Sequence, residues 1–174
     1  EKYVRAVPGG IGYAKTGGNY AASILAEKEA KRNGYTQVLW LDAVERRYIE
    51  EVGSMNIFFV IDDSIVTPML TGSILPGITR MSVIELGKHW GLHVEERRIT
   101  IDEVLKGLED GSVTEVFGAG TAAVISPVSI LAYKGKDFKV GNEETGPVAM
   151  RFYDHLTGIQ YGRESDPFGW LELI

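Results

Sequence analysis

One lysine in a glycine-rich segment has the surroundings that covalent chemistry would need. Lys15 lies in the run Gly9-Gly10-Ile11-Gly12-Tyr13-Ala14-Lys15-Thr16-Gly17-Gly18-Asn19-Tyr20. A lysine amine that has lost its proton forms a Schiff base with a carbonyl compound, and small neighbours let a flat ligand lie against the backbone. Taken alone, the run is more typical of an exposed lysine in a glycine turn. It does not have the residue order of a P-loop.

Two adjacent glutamates precede an apolar segment. Glu50 and Glu51 come shortly before residues 56–61, which are predicted to form a strand. Because consecutive strand residues face opposite sides, we expect one carboxylate to point inward while the other stays in water. A buried carboxylate needs a cationic partner, and a protonated pyridine nitrogen would be one. The alternative is that both glutamates are surface charges.

Two further segments combine small residues with possible anion-binding amides. The first, Leu75-Pro76-Gly77-Ile78-Thr79-Arg80, places a turn before a helix, where free N–H groups bind phosphate. The second, Phe117-Gly118-Ala119-Gly120-Thr121-Ala122-Ala123, joins two strands and could hold a carboxylate or a phosphate oxygen. An ordinary helix start and a bulged strand junction explain the same residues. Arg80 is expected to face solvent or a structural carboxylate rather than phosphate.

Composition narrows the classes of partner. The 174 residues carry a formal net charge of −6, which disfavours nucleic acid and anionic membranes. There are no cysteines, which excludes disulfides and thiolate catalysis and fits a reducing compartment. The three histidines, His89, His93 and His155, have no metal-ligand spacing, so no metal site is predicted. No apolar run approaches the length of a membrane span.

The elements that must position these residues are predicted from periodicity, capping and turn residues. Helices are expected at residues 19–33, 78–90, 100–110 (opened by the capping box Thr100 to Glu103) and 147–156. Strands are expected at residues 37–41, 47–54, 56–61, 93–98, 113–117 and 122–133, with a turn at Asp62-Asp63 and an irregular tail over 161–174. The sequence therefore predicts one α+β domain with mixed, mostly antiparallel strands and peripheral helices.

The order of five motifs resembles that of the branched-chain amino acid aminotransferases, which are fold-type IV pyridoxal phosphate enzymes. The resemblance extends through residues 156–162 and covers nearly the whole chain. It implies the large, C-terminal cofactor-binding domain over residues 1–174, with the smaller N-terminal domain of the family outside this chain. The motifs lie at residues 15–20, 37–42, 51–56, 75–80 and 117–122.

The resemblance also implies roles for individual residues. Lys15 would carry pyridoxal 5'-phosphate as a Schiff base and act as the catalytic base. The other cofactor contacts would come from Tyr20 at the ring oxygen, Glu51 at the ring nitrogen, Ser54 near the ring, Leu75 on the ring face, and Ile78, Thr79 and Thr121 at the phosphate. Thr121 and Ala122 would hold the substrate carboxylate.

The implied reaction moves the amino group of leucine, isoleucine or valine to 2-oxoglutarate. Small amino acids and 2-oxo acids are the expected partners, in a cytoplasmic homodimer that serves amino-acid biosynthesis. Because the N-terminal domain of the family supplies a phosphate-binding arginine and part of the substrate pocket, the isolated chain is expected to have little or no activity. The alternatives are a D-amino acid aminotransferase, an aminodeoxychorismate lyase, or a non-catalytic module of this fold.

Overall fold

A mixed sheet forms the centre of the fold. In the computed structural model, which describes residues 2–172, seven strands form this sheet, two more form a hairpin, and four helices pack outside. The helices are α1 Gly17–Arg32, α2 Ile78–His89, α3 Ile101–Asp110 and α4 Pro147–Gln160. The strands are β1 Leu39–Leu41, β2 Ile49–Val52, β3 Met55–Ile61, β4 Ser64–Pro68, β5 Val94–Arg97, β6 Val113–Gly120, β7 Val124–Pro127, β8 Ile130–Tyr133 and β9 Lys136–Lys139.

Strand β3 occupies the middle of the sheet. Along one edge it pairs with β6 over its length, and along the other it pairs first with β2 and then with β4. All pairs in the sheet are antiparallel except β4 with β5. The predicted α+β class with mostly antiparallel strands is confirmed.

Two apolar layers cover the two faces of the sheet. Strand residues alternate between faces, and accordingly Ile57 and Phe59 join one cluster while Phe58 and Val60 join the other. The first cluster packs against α3 and the second against α2 and α4. In the second layer, the rings of Phe58 and Phe117 stack with their centroids 5.3 Å apart. Asn56 therefore lies at the end of a strand whose middle is packed on both sides, and Glu51 pairs with it from β2.

Helix ends follow the local signals of the sequence. Thr100 caps α3 by accepting the Glu103 N–H at 3.1 Å, as the capping box predicts. The Glu103 carboxylate binds Arg97 instead of returning to the cap. Gly111 ends the helix with φ +86°, a conformation that glycine adopts without steric cost.

One strand prediction is wrong. The segment 122–133 is not continuous: β7 pairs with β6, whereas β8 pairs with β9 in a separate hairpin. The chain leaves the sheet after Pro127, and the Val128 N–H then donates to Val116 O. The predicted turn at Asp62 and Asp63 is present, with φ values of 46° and 65°. Residues 1, 173 and 174 of the predicted domain and tail lie outside the described residues.

None of the helices in residues 2–172 is both long enough and apolar enough to cross a membrane.

Candidate active site

Lys15 and Tyr20 lie together where the glycine-rich loop enters α1. The Lys15 amine donates to the Tyr20 hydroxyl at 3.1 Å and lies 5.3 Å from the centre of that ring. Both side chains are exposed. The buried Asn19 amide donates to the carbonyls of Ile11 and Ala14, each at 2.8 Å, and thereby fixes the loop that carries Lys15.

Glu51 is held by a guanidinium and a backbone amide. Its Oε2 lies 2.6 Å from Arg5 Nε, and its Oε1 accepts the Leu75 N–H at 3.0 Å. Both side chains of this ion pair are buried. Arg5 also donates to Ser73 O at 2.5 Å. These contacts tie the N-terminal segment, β2 and the loop before α2 together.

The expectation that only one of the two glutamates is buried is wrong. Glu50 is 4% exposed and Glu51 is 3% exposed. Glu50 faces the opposite side of β2, as strand geometry requires, but the Ser73 loop covers that side as well. The Ser73 hydroxyl donates to Glu50 Oε1. The Arg5 guanidinium forms its ion pair with Glu51, and its charge also acts on Glu50.

Burial changes the acidity of both groups. It raises the pKa of the Glu51 carboxyl to about 7, with nearby Glu50 adding to the rise, while the Arg5 guanidinium and the Leu75 N–H lower it. Burial also raises the pKa of Glu50, although the Ser73 hydroxyl and the Arg5 charge lower it. Loss of hydration therefore outweighs the positive charge of Arg5 at both carboxyls. A second cation near Glu51 would lower the pKa of its carboxyl again and keep it ionised.

The loop before α2 ends in a helix start that no side chain caps. The N-cap residue is Gly77, which has no side-chain oxygen to accept the first amides of the helix. The Gly77 N–H turns back to Leu75 O at 2.9 Å. Ile78, 71% exposed, and Thr79 occupy the first two helical positions. Their amides and the helix dipole provide a positive end for an anion.

The remaining predicted residues lie in turns at the ends of the strands. Ser54 is exposed in the β2–β3 turn, and Thr121 and Ala122 are exposed in the β6–β7 turn. The glycines beside Thr121 face protein: a Cβ on Gly118 would lie 2.8 Å from Met55 Cε, and one on Gly120 would lie 3.0 Å from Met55 Cγ. Two glycines of this motif therefore make room for Met55.

Arg80 lies away from the anion site. It is 2% exposed and donates to Pro68 O at 2.9 Å and to Glu96 Oε2 at 2.8 Å. The expectation of a structural carboxylate partner is confirmed. Among residues 2–172, no three His, Cys, Asp or Glu side chains are grouped to hold a metal ion.

Three contributors to this site were not predicted. Arg5 and Ser73 surround the glutamates, and Asn56 donates to Leu75 O at 2.9 Å. Arg5 lies far before Glu51 in the chain, so no local pattern links them. Asn56 had a weak signal, since an amide inside an otherwise apolar strand is buried and must find a partner.

Comparison with known proteins identifies the family of this chain. The family model described as amino-transferase class IV matches residues 4–131. A probable branched-chain-amino-acid aminotransferase of Staphylococcus aureus (strain N315) is 58% identical over 174 residues. Branched-chain-amino-acid aminotransferase 2 of Bacillus subtilis (strain 168) is 59% identical over 169 residues. The alignments cover 100% and 97% of this chain but 49% and 47% of those proteins. The chain thus spans about half the length of these relatives.

Solved structures agree with the sequence relatives. The branched-chain amino acid aminotransferase of Escherichia coli superposes with a TM-score of 0.83 at 39% identity, covering 99% of this chain and 55% of that one. The T.th. branched-chain amino acid aminotransferase in complex with N-(5'-phosphopyridoxyl)-L-glutamate gives 0.84 at 35% identity, covering 99% and 54%. These matches confirm the resemblance to the branched-chain aminotransferases and the fold-type IV architecture. The chain belongs to the class IV amino-transferases.

Proposed function

We propose that this chain forms the cofactor-binding part of a pyridoxal phosphate-dependent transaminase for branched-chain amino acids. The observation that carries the proposal is the polarity of the site. The buried carboxylate of Glu51 forms one pole, and the uncapped start of α2 forms the other, with Leu75 between them. Pyridoxal phosphate has the complementary polarity, with a basic ring nitrogen at one end and a phosphate at the other.

The residues present fit this cofactor. With both carboxyls ionised, Glu50, Glu51 and Arg5 leave the buried group one positive charge short of neutrality. A protonated ring nitrogen at Glu51 would supply that charge. Lys15 would hold the cofactor covalently through its amine, with the Tyr20 hydroxyl beside it. Ile78, Thr79 and Thr121 would bind the phosphate, Leu75 would pack on the ring, and Ser54 would lie near it.

When bound, the cofactor acts as an electron sink that makes the α-proton of an amino acid acidic. Lys15, once its amine is free, would take that proton and return it to a neighbouring carbon. The Tyr20 hydroxyl, an acceptor at 3.1 Å from the amine, orients Lys15 for the transfer. Glu51 would keep the ring nitrogen protonated, because a carboxylate in a buried setting favours a charged partner. Thr121 and Ala122 would orient the substrate carboxylate.

The names of the relatives support the substrate class. Both the Staphylococcus and the Bacillus protein are named for branched-chain amino acids. The proposed reaction passes the amino group of leucine, isoleucine or valine to 2-oxoglutarate. We further propose that the full-length enzyme is a homodimer. Its cytoplasmic location stays a prediction.

The test is chemical capture of the lysine. The protein is incubated with pyridoxal 5'-phosphate, reduced with borohydride and digested, and the modified peptide is located by mass spectrometry. We expect the adduct on Lys15, and none on Lys15→Ala. Lys31→Ala is the matched control, since it removes an exposed lysine from the last turn of α1 and should leave the adduct intact.

Amino-donor assays then separate the substrate classes. Turnover with L-leucine, L-isoleucine or L-valine supports the proposal, whereas turnover with D-alanine alone would favour a D-amino acid aminotransferase. Absence of an adduct on Lys15 in the protein at its full natural length would overturn the proposal and leave a non-catalytic module.

A further inference from the structure

Asn56 lies where the three proposed cofactor-binding segments meet. It is the second residue of β3, and it pairs across the sheet with Glu51 of β2 on one side and with Ala119 of β6 on the other. Ala119 is two residues before Thr121. The backbone of Asn56 therefore stands between the carboxylate proposed for the ring nitrogen and the turn proposed for the phosphate and substrate.

The side chain of Asn56 reaches a third segment, the loop before α2. Its Nδ2 donates to Leu75 O at 2.9 Å, while the N–H of Leu75 donates to Glu51 Oε1 at 3.0 Å. Leu75 is thus held through both its N–H and its carbonyl by two side chains that are direct neighbours in the β2–β3 register. This arrangement fixes the loop before α2 relative to Glu51.

Gly77 shows how closely the amide fits. A Cβ added to Gly77 would lie 2.3 Å from Asn56 Oδ1, so a larger residue would displace the amide. Gly77 has φ −68°, a value that any residue adopts, so its lack of a side chain matters here for space rather than for backbone conformation. Because Gly77 is the N-cap of α2, a shift here moves the first helical amides.

We propose that Asn56 is a positioning residue that sets the place of the α2 amides relative to Glu51, and so makes the protein select phosphorylated over unphosphorylated pyridoxal. This inference rests on the proposed function, and it assigns Asn56 no contact with the reacting atoms. Its effect is transmitted through Leu75 and Gly77.

The test compares two cofactors in the protein at its full natural length. Dissociation constants for pyridoxal 5'-phosphate and pyridoxal are measured by absorbance titration. The selectivity for phosphate is the Kd of pyridoxal divided by the Kd of pyridoxal 5'-phosphate. We expect Asn56→Ala to lower this ratio by roughly tenfold, because the variant loses the hydrogen bond to Leu75 O that positions the loop. Asn142→Ala, which removes an exposed amide from a turn, should leave the ratio unchanged.

The readout separates positioning from a merely structural role. Leu75 O keeps its bond from the Gly77 N–H when Asn56 is truncated, so the loop is expected to fold. A structural defect would weaken the binding of both cofactors equally and leave the ratio within about twofold of wild type, which would overturn the inference.

Gly77→Ala perturbs the same contact by placing a methyl group against the Asn56 amide. If the inference holds, this variant lowers the phosphate selectivity although Asn56 is intact, and Gly77→Ala combined with Asn56→Ala is no worse than the more impaired single variant. Unchanged selectivity in Gly77→Ala, or additive losses in the double variant, would overturn the inference even if Asn56→Ala failed to fold.

Failure of the proposed function has a separate signature. A wild-type protein that shows no preference for the phosphorylated cofactor and no borohydride adduct on Lys15 would overturn both proposals. A wild-type adduct on Lys15 with an unaltered ratio in the variants overturns the role of Asn56 alone.

Discussion

At the residue scale, the pair Glu50 and Glu51 dominates the electrostatics of the site. Both carboxyls are buried on opposite faces of one strand, and the Arg5 guanidinium forms an ion pair with Glu51 while its charge also acts on Glu50. Charge taken out of water destabilises a fold unless it is paired or neutralised by a proton. The raised pKa of each group indicates that the cofactor-free protein relieves part of this cost by protonation.

A first prediction is that Glu51 makes the cofactor-free protein less stable as the pH rises. The pKa of Glu51 is raised from 4.5 to about 7 in the folded chain. Between these two values the folded state binds more protons than the unfolded state, so the free energy of unfolding falls as pH increases. The contribution is complete below pH 4.5 and is lost by about pH 7, a change on the order of 3 kcal/mol.

Urea unfolding of wild type and Glu51→Gln at several pH values measures this contribution. The variant should gain stability relative to wild type as pH rises through the window. Glu85→Gln, which alters an exposed glutamate of α2, should show a constant difference. A pH-independent difference for Glu51→Gln would contradict the raised pKa.

A second prediction concerns Arg5. Arg5→Met leaves two buried carboxyls with no guanidinium, so it should lower the free energy of unfolding by roughly 3–5 kcal/mol at pH 8. At pH 5 the loss should be smaller, because the Glu51 carboxyl then carries a proton in the folded state. Urea unfolding at the two pH values tests this, with Arg163→Met at an exposed position as the control. Equal losses at both pH values would mean that Arg5 stabilises the fold through packing and its bond to Ser73 O rather than through its charge.

The candidate site was only partly predictable from the sequence. Lys15, Glu51 and the start of α2 stand out because each has a local signature: glycines around an amine, paired carboxyls, and a turn before a helix. Arg5 has no such signature, and its role depends on the Ser73 loop that brings it to β2. The burial of Glu50 was missed for the same reason, because what covers the second face of a strand is decided by tertiary contacts.

At the element scale, most helices and several strands follow from capping and periodicity. Gly34, Gly91 and Gly111 all have positive φ values of 73° to 86° at helix ends, and each marks the predicted boundary within a residue or two. The prediction of one strand over residues 122–133 is wrong because the chain passes from the central sheet to a separate hairpin within a stretch that stays largely apolar. Periodicity reports which face a residue occupies but not which partner strand it has.

A third prediction tests the cap of α3. Thr100→Ala removes the oxygen that accepts the Glu103 N–H and should lower the free energy of unfolding by about 1 kcal/mol. Thr100→Ser keeps that oxygen and should retain most of the stability. Thr36→Ala, at an exposed position outside a helix, serves as the control in thermal or urea unfolding. A loss as large in Thr100→Ser as in Thr100→Ala would show that the methyl group, not the cap, matters.

At the scale of the whole molecule, the proposed site combines residues packed against the two apolar layers with residues that are exposed. Asn56 lies at the end of β3, whose central residues belong to the two clusters, and Glu51 pairs with Asn56 from β2. By contrast, Lys15, Ser54, Thr121 and Ala122 are exposed in this chain. The same 174 residues span about half of the relatives that they match. The proposed binding poles, Glu51 and the start of α2, lie within the described residues, whereas several of the residues proposed to contact the cofactor and substrate are exposed.

This asymmetry leads to a final prediction about binding and turnover. Water weakens electrostatic stabilisation in an open site and lets the reacting groups take unproductive positions. We expect the 174 residues by themselves to form the Lys15 adduct with pyridoxal 5'-phosphate but to transaminate leucine at least roughly 10²-fold more slowly than the protein at its full natural length. Coupled assay of glutamate formation from 2-oxoglutarate, beside the borohydride adduct on the same samples, measures the two properties separately. Equal turnover would show that these residues enclose the substrate by themselves, and loss of both adduct and turnover would place part of the cofactor affinity outside them.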